Sequence, residues 1–279
     1  MSIGFQKLRS FITLVIAAAL ITVSFGFSDV LALSPVRGNY DGSAGGIEGR
    51  TVVITIFADE LNYQWDFTRR EDINRRYTVN RYLRMAGTYI EQQTRSYGVE
   101  SEFITDFSAH PDLTYHIKTD TDFASEYGFN HYYLWDPVIW DSIDQYIDVE
   151  GIKTRYDADN VVFLTVFNTD EACESISCTR NWYEGMESDY EIVYLFYVDL
   201  GQVNPPSVYA HEILHTFGAP DLYQADRYFG ITEETVHAYE ADYSNDIMLT
   251  CSDPVTYSYV YDRIPNDLTG VTAYYLHLR

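Results

Sequence analysis

Basic residues are scarce in this chain of 279 residues. It has 18 Lys and Arg against 42 Asp and Glu, so its formal net charge is −24 at pH 7. Nucleic acids and anionic membranes would repel such a protein, and we expect neither as a partner. The charge favours solubility in an exposed environment. Selection of basic substrates by an acidic surface is the alternative interpretation.

Cysteine is also rare, with Cys173, Cys178 and Cys251 as the three examples. The first two are close enough in sequence to close a small loop in an oxidising compartment. We therefore predict a disulfide bond between Cys173 and Cys178, with Cys251 left as a free thiol. Pairing of Cys251 with either of the others is the alternative.

A long apolar run occurs once, near the N-terminus. Lys7 and Arg9 precede an uncharged run over 11–27, which small residues follow. This pattern predicts a secretory signal peptide over 1–32, and therefore a secreted protein without stable membrane association after cleavage. An uncleaved membrane anchor is the alternative, because the run is near the short limit for a spanning helix. Residues 33–50 are rich in Gly and Ser and predict a flexible leader or short pro-segment.

The remaining composition predicts a folded protein, because 16% of the residues are aromatic. Its first elements are a buried β-branched strand at 51–58, an amphipathic helix at 74–96 that Gly98 ends, and an alternating strand at 99–107. Strand, helix and strand in this order predict a parallel crossover, which opens a layered domain.

Two continuous apolar runs, at 161–167 and 192–198, predict central strands that are buried on both faces. Pro205 and Pro206 end the second run, and Ser207 is predicted to cap the helix that follows. A closing helix is predicted at 267–278.

The region between 110 and 159 is harder to interpret. Residues 141–148 predict one short amphipathic helix with an acidic face. Carboxylates recur in pairs in this part of the chain and are candidates for a calcium site, although no EF-hand pattern is present. These candidates are Asp120 with Asp122, and Asp157 with Asp159.

The strongest chemical signal is HEILHTFGAPD, from His211 to Asp221. Helical residues four apart share a face, so His211 and His215 can bind one metal ion with Glu212 beside it. A zinc ion that supports hydrolysis takes three protein ligands and one water. Gly218 can adopt a left-handed conformation, end the helix and bring Asp221 to the metal as the third ligand. Glu212 is then placed to act as the general base.

These residues carry a family resemblance. HExxHxxGxx followed by His or Asp resembles the long zinc signature of metzincin metallopeptidases, here in an Asp variant of the snapalysin type. Residues 245–248, NDIM, resemble the family's Met-turn, in which Met248 would lie beneath the metal. The resemblance covers about 208–248. It implies a zincin-like α+β catalytic domain over 51–279, with a mixed twisted sheet, long helices and a small lower subdomain that begins near 219.

The resemblance also implies an activity, that of a secreted zinc endopeptidase. Zinc would lower the pKa of its bound water, and Glu212 would take the proton as the water attacks a peptide carbonyl. Met248 would provide an apolar floor for the ligands. Peptide substrates are expected to bind in extended form along a sheet edge above the zinc. Several metzincins add a Tyr two residues after the turn Met, but this chain has Thr250 there, and the sequence does not identify a substitute.

Two other interpretations of the motif remain open. A gluzincin-like enzyme would take its third ligand from a following helix, where Glu233, Glu234 and Glu240 are candidates and His237 is a further competitor. That family's usual partner motif is absent from the sequence. The second interpretation is a secreted binding protein with a structural zinc ion, although a structural site closes the fourth position and has no need of Glu212.

The same resemblance suggests one way in which a zymogen could be inhibited. Asp41, in NYDG, is weakly similar to the upstream Asp that closes the zinc site in astacin-like metzincins. A cysteine switch is excluded, because no Cys precedes Cys173.

Overall fold

The computed structural model describes residues 42–124, 132–179 and 190–278, with the backbone alone at 132–134. The predicted signal peptide and the predicted leader as far as Asp41 lie outside these ranges. Within them the chain forms a mixed α+β fold of six helices and eight strands.

The helices are α1 (Arg70–Ser96), α2 (Tyr132–Tyr146), α3 (Val149–Tyr156), α4 (Pro206–His215), α5 (Glu233–Asp242) and α6 (Gly270–Tyr275), with a 3-10 turn at Pro111–Leu113. The strands are β1 (Gly49–Asp59), β2 (Ser101–Ile104), β3 (Thr114–Lys118), β4 (Asn160–Phe167), β5 (Cys178–Thr179), β6 (Ile192–Phe196), β7 (Val198–Asp199) and β8 (Gln202–Val203). None of the described helices is both long enough and apolar enough to cross a membrane.

Six strands form one mixed sheet in the order β2-β1-β4-β6-β5, with β3 paired to the second half of β1. β1 pairs in parallel with β2, β3 and β4, and β4 pairs in parallel with β6. The crossover predicted for the first three elements is therefore confirmed. β5 is antiparallel to β6 and forms one edge of the sheet in the described residues. The short β7 and β8 form a separate hairpin.

The sheet separates two hydrophobic cores, because its central strands are apolar along their whole length. β4 and β6 are buried at every residue, as continuous apolar runs predict. Val53 and Val162 point into the core that contains residues of α1 and α4. Ile54 and Phe163 alternate to the opposite face, in the core that contains residues of α2 and α3.

Helix α1 packs beside α4 on one face of the sheet. Its buried stripe includes Val79, Leu83, Ala86 and Ile90, which recur at helical spacing. The helix begins at Arg70 rather than at residue 74, because the polar first turn holds acidic side chains that stabilise a helix N-terminus.

Other predicted boundaries also differ from the structure. The strand predicted at 99–107 is confined to β2, and the strand predicted at 192–198 is divided into β6 and β7. The acidic helix predicted at 141–148 is the end of α2, and the closing helix is reduced to α6.

The prediction of a disulfide bond between Cys173 and Cys178 is wrong, because none of the three cysteines forms a disulfide bond. Cys178 lies in β5 and packs into the core beside α2 and α3. The Cys173 thiol instead donates to the carbonyl of Ser175, and burial raises its pKa to about 11. A buried thiol with a raised pKa forms little thiolate and reacts slowly.

Residues 42–48, which the sequence assigned to the leader, pack against the end of α4. The amide of Ala44 donates to the carbonyl of Thr216 at 2.9 Å, and Ala44 and Ile47 are buried. Gly42 has a φ of +72°, and a Cβ there would lie 2.5 Å from the amide nitrogen of Gly218. This segment therefore contacts the turn that leads to Asp221.

Candidate metal centre

Helix α4 carries His211 and His215 one turn apart, and both residues are buried. Pro206 opens the helix, where its fixed φ is favourable and its missing N–H is not needed. The predicted cap at Ser207 is wrong, because this residue already lies within the helix. Its hydroxyl donates to the carbonyl of Cys251 at 2.6 Å, which fixes the start of α4 to the chain just after residues 245–248.

The chain reverses direction directly after α4. Gly218 has a φ of +90°, the left-handed conformation predicted for it. Its amide donates to the carbonyl of His215 at 2.8 Å, and the next amide, of Ala219, donates to the carbonyl of Leu214 at 3.2 Å. This pair of bonds is a Schellman motif, which satisfies the last carbonyls of a helix. The reversal brings Asp221 back to the histidines.

Three acceptor atoms meet at this point. The Nε2 atoms of His211 and His215 are 3.1 Å apart, and Oδ1 of Asp221 lies 3.2 Å and 3.3 Å from them. Atoms bound at about 2.0–2.2 Å by a tetrahedral zinc ion lie roughly 3.3–3.6 Å from one another. The observed triangle is close to that size. In the described residues this is the one group of three or more His, Cys, Asp or Glu side chains arranged to hold a metal.

The hydrogen bonds of the two imidazoles explain why their Nε2 atoms are acceptors. Nδ1 of His211 lies 2.9 Å from the carbonyl of Ile247, and Nδ1 of His215 lies 2.7 Å from the carbonyl of Ala219. A carbonyl only accepts, so each Nδ1 carries a proton and each neutral ring has its lone pair on Nε2. The two lone pairs and the Asp221 carboxylate therefore face one another without a donor. Asp221 Oδ1 is buried and has no hydrogen-bond donor among the described residues. A cation fits this set of atoms.

The Met-turn segment, Asn245 to Met248, supports the ligands mainly through its backbone. The carbonyl of Ile247 accepts from His211, and the carbonyl of Met248 accepts from the amide of Leu222 at 3.0 Å. Leu222 directly follows Asp221, so neighbouring peptide groups hold two of the three candidate ligands. The Met248 side chain is fully buried in the core shared with α1 and α4.

Asp246 fixes this turn to the C-terminal helix. One carboxylate oxygen accepts from the amide of Met248 at 2.8 Å and the hydroxyl of Thr272 at 2.7 Å. The other oxygen accepts from the amide and the hydroxyl of Thr269, at 3.0 Å and 2.5 Å. Asp246 is completely buried, and it is a positioning residue that the sequence interpretation missed. The position of this Asp, two residues before Met248, is the signal by which the sequence could have identified it.

The charges in the cluster are strongly coupled. Burial opposes charging of Asp221, but the two imidazoles outweigh it and hold the pKa of Asp221 well below its ordinary value. Burial likewise opposes protonation of His211, yet the Cys251 thiol and the Asp221 carboxylate raise the pKa of this imidazole. The cluster therefore favours positive charge on the imidazoles, which is the sign of charge that a bound metal ion would supply.

Glu212 lies beside the cluster, and 5% of its surface is exposed. Burial raises its pKa, and the imidazoles of His211 and His215 oppose that shift. The hydroxyl of Thr179 lies 2.9 Å from Oε2 of Glu212 and 3.0 Å from its backbone carbonyl. Oε1 makes no hydrogen bond to a described residue, so one carboxylate oxygen is held and the other is available.

Tyr223 borders the cluster and was not identified from the sequence. Its ring stacks against that of His211, with centroids 6.4 Å apart and an angle of 18° between the planes. Burial and the charge of the nearby Asp221 carboxylate raise the pKa of Tyr223. About half of the residue, 47%, remains exposed. Its position two residues after Asp221 was a usable signal, although it is difficult to distinguish among 26 Tyr.

The competing third ligands lie elsewhere. His237 and Glu240 pair with each other on the exposed side of α5, with Nδ1 and Oε2 3.2 Å apart. Glu233 and Glu234 are exposed in the first turn of the same helix. None of the four belongs to the cluster of His211, His215 and Asp221.

The calcium candidates do not form a comparable cluster among the described residues. Asp159 accepts the amide of Arg50 at 2.8 Å, and Asp157 ends α3 in a left-handed conformation. Asp120 and Asp122 follow β3.

Comparisons with protein-family models, curated proteins and solved structures gave no match. We therefore infer the function from the geometry of this site.

Proposed function

We propose that this protein is a zinc-dependent endopeptidase of the metzincin type, with a zincin-like fold. The observation that carries the proposal is the meeting of three acceptor atoms, from His211, His215 and Asp221, without a donor between them. Both Nδ1–H groups donate to backbone carbonyls, so both Nε2 atoms are available for a metal. Three protein ligands leave one tetrahedral position open, which is the arrangement of catalytic zinc sites.

Zinc, when bound, would supply Lewis acidity toward a water molecule and a substrate carbonyl. Glu212 would accept a proton from the attacking water on its available oxygen and donate it to the leaving amine. Its buried position supports this role, because burial raises its pKa toward the range in which a carboxyl both takes and releases protons.

Tyr223 is our candidate for stabilising the negative charge that develops on the carbonyl oxygen. Its phenol is beside Asp221, and its ring is held against His211. The raised pKa keeps the hydroxyl protonated, so it remains a hydrogen-bond donor. This assignment supplies the role that Thr250 cannot fill.

The substrate would lie along β5. This strand is an edge of the sheet within the described residues, and Thr179 in it contacts Glu212. An extended peptide that pairs with this edge would pass close to the general base. We propose a peptide or protein substrate without assigning its side-chain preference.

Secretion is proposed from the N-terminal pattern alone. None of the three cysteines forms a disulfide bond, so the cysteines give no support for an oxidising compartment.

Zinc content together with hydrolysis of casein tests the proposal. We expect one zinc per chain and zinc-dependent cleavage, which Glu212→Gln abolishes while zinc is retained. Glu240→Gln, an exposed substitution on α5, is the matched control and should leave activity unchanged. Stoichiometric zinc without any cleavage would favour the binding protein with a structural metal. Loss of zinc from Glu240→Gln would favour the gluzincin-like alternative.

A further inference from the structure

β5 is a two-residue strand whose neighbouring side chains point to opposite faces of the sheet. Cys178 is buried in the core beside α2 and α3. Thr179 therefore faces the other side, where α4 carries Glu212. The pairing of Cys178 with Tyr194 and of Thr179 with Val193 fixes this orientation, because a shift by one residue would exchange the two side chains.

The hydroxyl of Thr179 has two acceptors, and both belong to Glu212. They are Oε2 at 2.9 Å and the backbone carbonyl oxygen at 3.0 Å. Neither oxygen can donate while the carboxyl is ionised, so the hydroxyl hydrogen is directed at Glu212 in either arrangement. A hydrogen bond from a neutral donor to a buried carboxylate is shorter and stronger than one between neutral groups.

From this contact we infer that Thr179 is a positioning residue for the general base, a role that rests on the proposed function. Its hydroxyl holds Oε2 of Glu212, which leaves Oε1 for the proton transfer that we propose. A Glu side chain has three rotatable bonds, and alignment of a reacting group to within a fraction of an ångström is worth a large part of a catalytic rate. The edge strand thus supplies both the backbone that pairs with a peptide and the hydroxyl that orients the base.

Thr179→Val tests the inference, because Val keeps the branched shape that suits a strand and removes only the hydroxyl. We expect kcat to fall by about 10- to 100-fold, the effect of losing one hydrogen bond to a charged group. KM should change by less than about threefold, since the backbone edge is intact, and zinc content should be unchanged. Thr179→Ser should keep most of the activity.

Two further measurements separate positioning from general damage. In the Glu212→Gln background, Thr179→Val should cause no additional loss, because the carboxylate that it orients is already gone. A crystal structure of metal-free Thr179→Val should show the Glu212 carboxylate turned away from its wild-type direction. Thr165→Val is the matched control, since the hydroxyl of Thr165 is buried in the same sheet without a hydrogen-bond partner in the described residues.

Each outcome decides between the two proposals. Wild-type protein without zinc-dependent cleavage would reject the proposed function itself. Active wild type with Thr179→Val at full kcat, or with Glu212 unmoved in its crystal structure, would overturn the role of Thr179 alone. Should Thr179→Val fail to fold, Thr179→Ala gives the same comparison and is interpreted in the same way.

Discussion

Replacement of Asp221 by Ala is the most direct test of the metal centre. The carboxylate is the one charged member of the cluster when both imidazoles are neutral, and its side chain is 16% exposed. Without it the site has two imidazoles and at least two open positions, so we expect zinc affinity to fall steeply. Asp221→His should restore binding, because His occupies this position in the commoner form of the metzincin signature.

The expected size of the effect follows from linkage between binding and folding. At free zinc about 1,000 times the dissociation constant, binding to the folded state adds about 4.1 kcal/mol to the free energy of unfolding. For a domain of this size that corresponds to a rise in Tm of roughly 8–16 °C. We expect this rise in the wild type and little of it in Asp221→Ala. In the metal-free protein the same substitution should cost about 1–3 kcal/mol, for the loss of a charge-assisted contact.

The assay is calorimetry with and without zinc, together with zinc stoichiometry after dialysis. The Asp221, His237 and Glu240 alanine variants are compared side by side, since the last two residues lie exposed on α5. If Asp221→Ala keeps its zinc and its full thermal shift while one of the others loses both, the third ligand has been assigned wrongly. Asp221 would then be an ordinary turn residue, worth no more than about 0.5–2 kcal/mol.

Four further predictions concern the rest of the site. Glu212→Gln should keep zinc and fold but lose at least about a hundredfold in turnover, measured by peptide cleavage; activity within about tenfold of wild type would reject the general base. Gly218→Ala should lower stability by about 1–3 kcal/mol in chemical denaturation, because its φ of +90° is strained for any residue with a Cβ. Asp246→Ala should lower both stability and zinc affinity, since four donors lose their acceptor; unchanged zinc affinity by titration would show that the turn does not need this anchor. Below the raised pKa values of His211 and His215, zinc affinity should rise by as much as about 100-fold per pH unit, because zinc displaces the protons of both imidazoles. Calorimetric titration between pH 6 and pH 8 measures this rise.

The sequence predicted the central strands and α1 well, because their hydrophobic patterns extend over many residues. β4 and β6 are continuous apolar runs, and α1 has a regular buried stripe. β5 was not predicted, since two residues provide no periodicity. The disulfide prediction failed for a related reason. Short spacing between two cysteines allows a small disulfide loop, but strand pairing decides the direction of each thiol. The thiol of Cys178 is directed into the core.

The same distinction applies within the candidate metal centre. His211, His215 and Asp221 were identified from side-chain types and helical spacing, which a sequence contains directly. The groups that orient the imidazoles are the carbonyls of Ala219 and Ile247, and every residue type carries a carbonyl. The residue type at such a position therefore gives no sign that its carbonyl orients an imidazole.

The segments that supply these carbonyls are fixed by two features, one of them local and the other far away in sequence. Gly218 sets the path of the chain that places the Ala219 carbonyl beside His215, and the bonds from Thr269 and Thr272 to Asp246 hold the turn that contains Ile247. Three parts of the chain must therefore fold together before the two Nε2 lone pairs and the Asp221 carboxylate face one another. Bringing these acceptors together without a cation is unfavourable, since each loses water and gains no donor. Protonation of an imidazole would lessen this cost, which is why the pKa values of His211 and His215 are raised, and a bound metal would remove the cost. The fold and the proposed zinc ion are coupled for that reason, and chelation should destabilise α4, the turn after it and the Met-turn segment together.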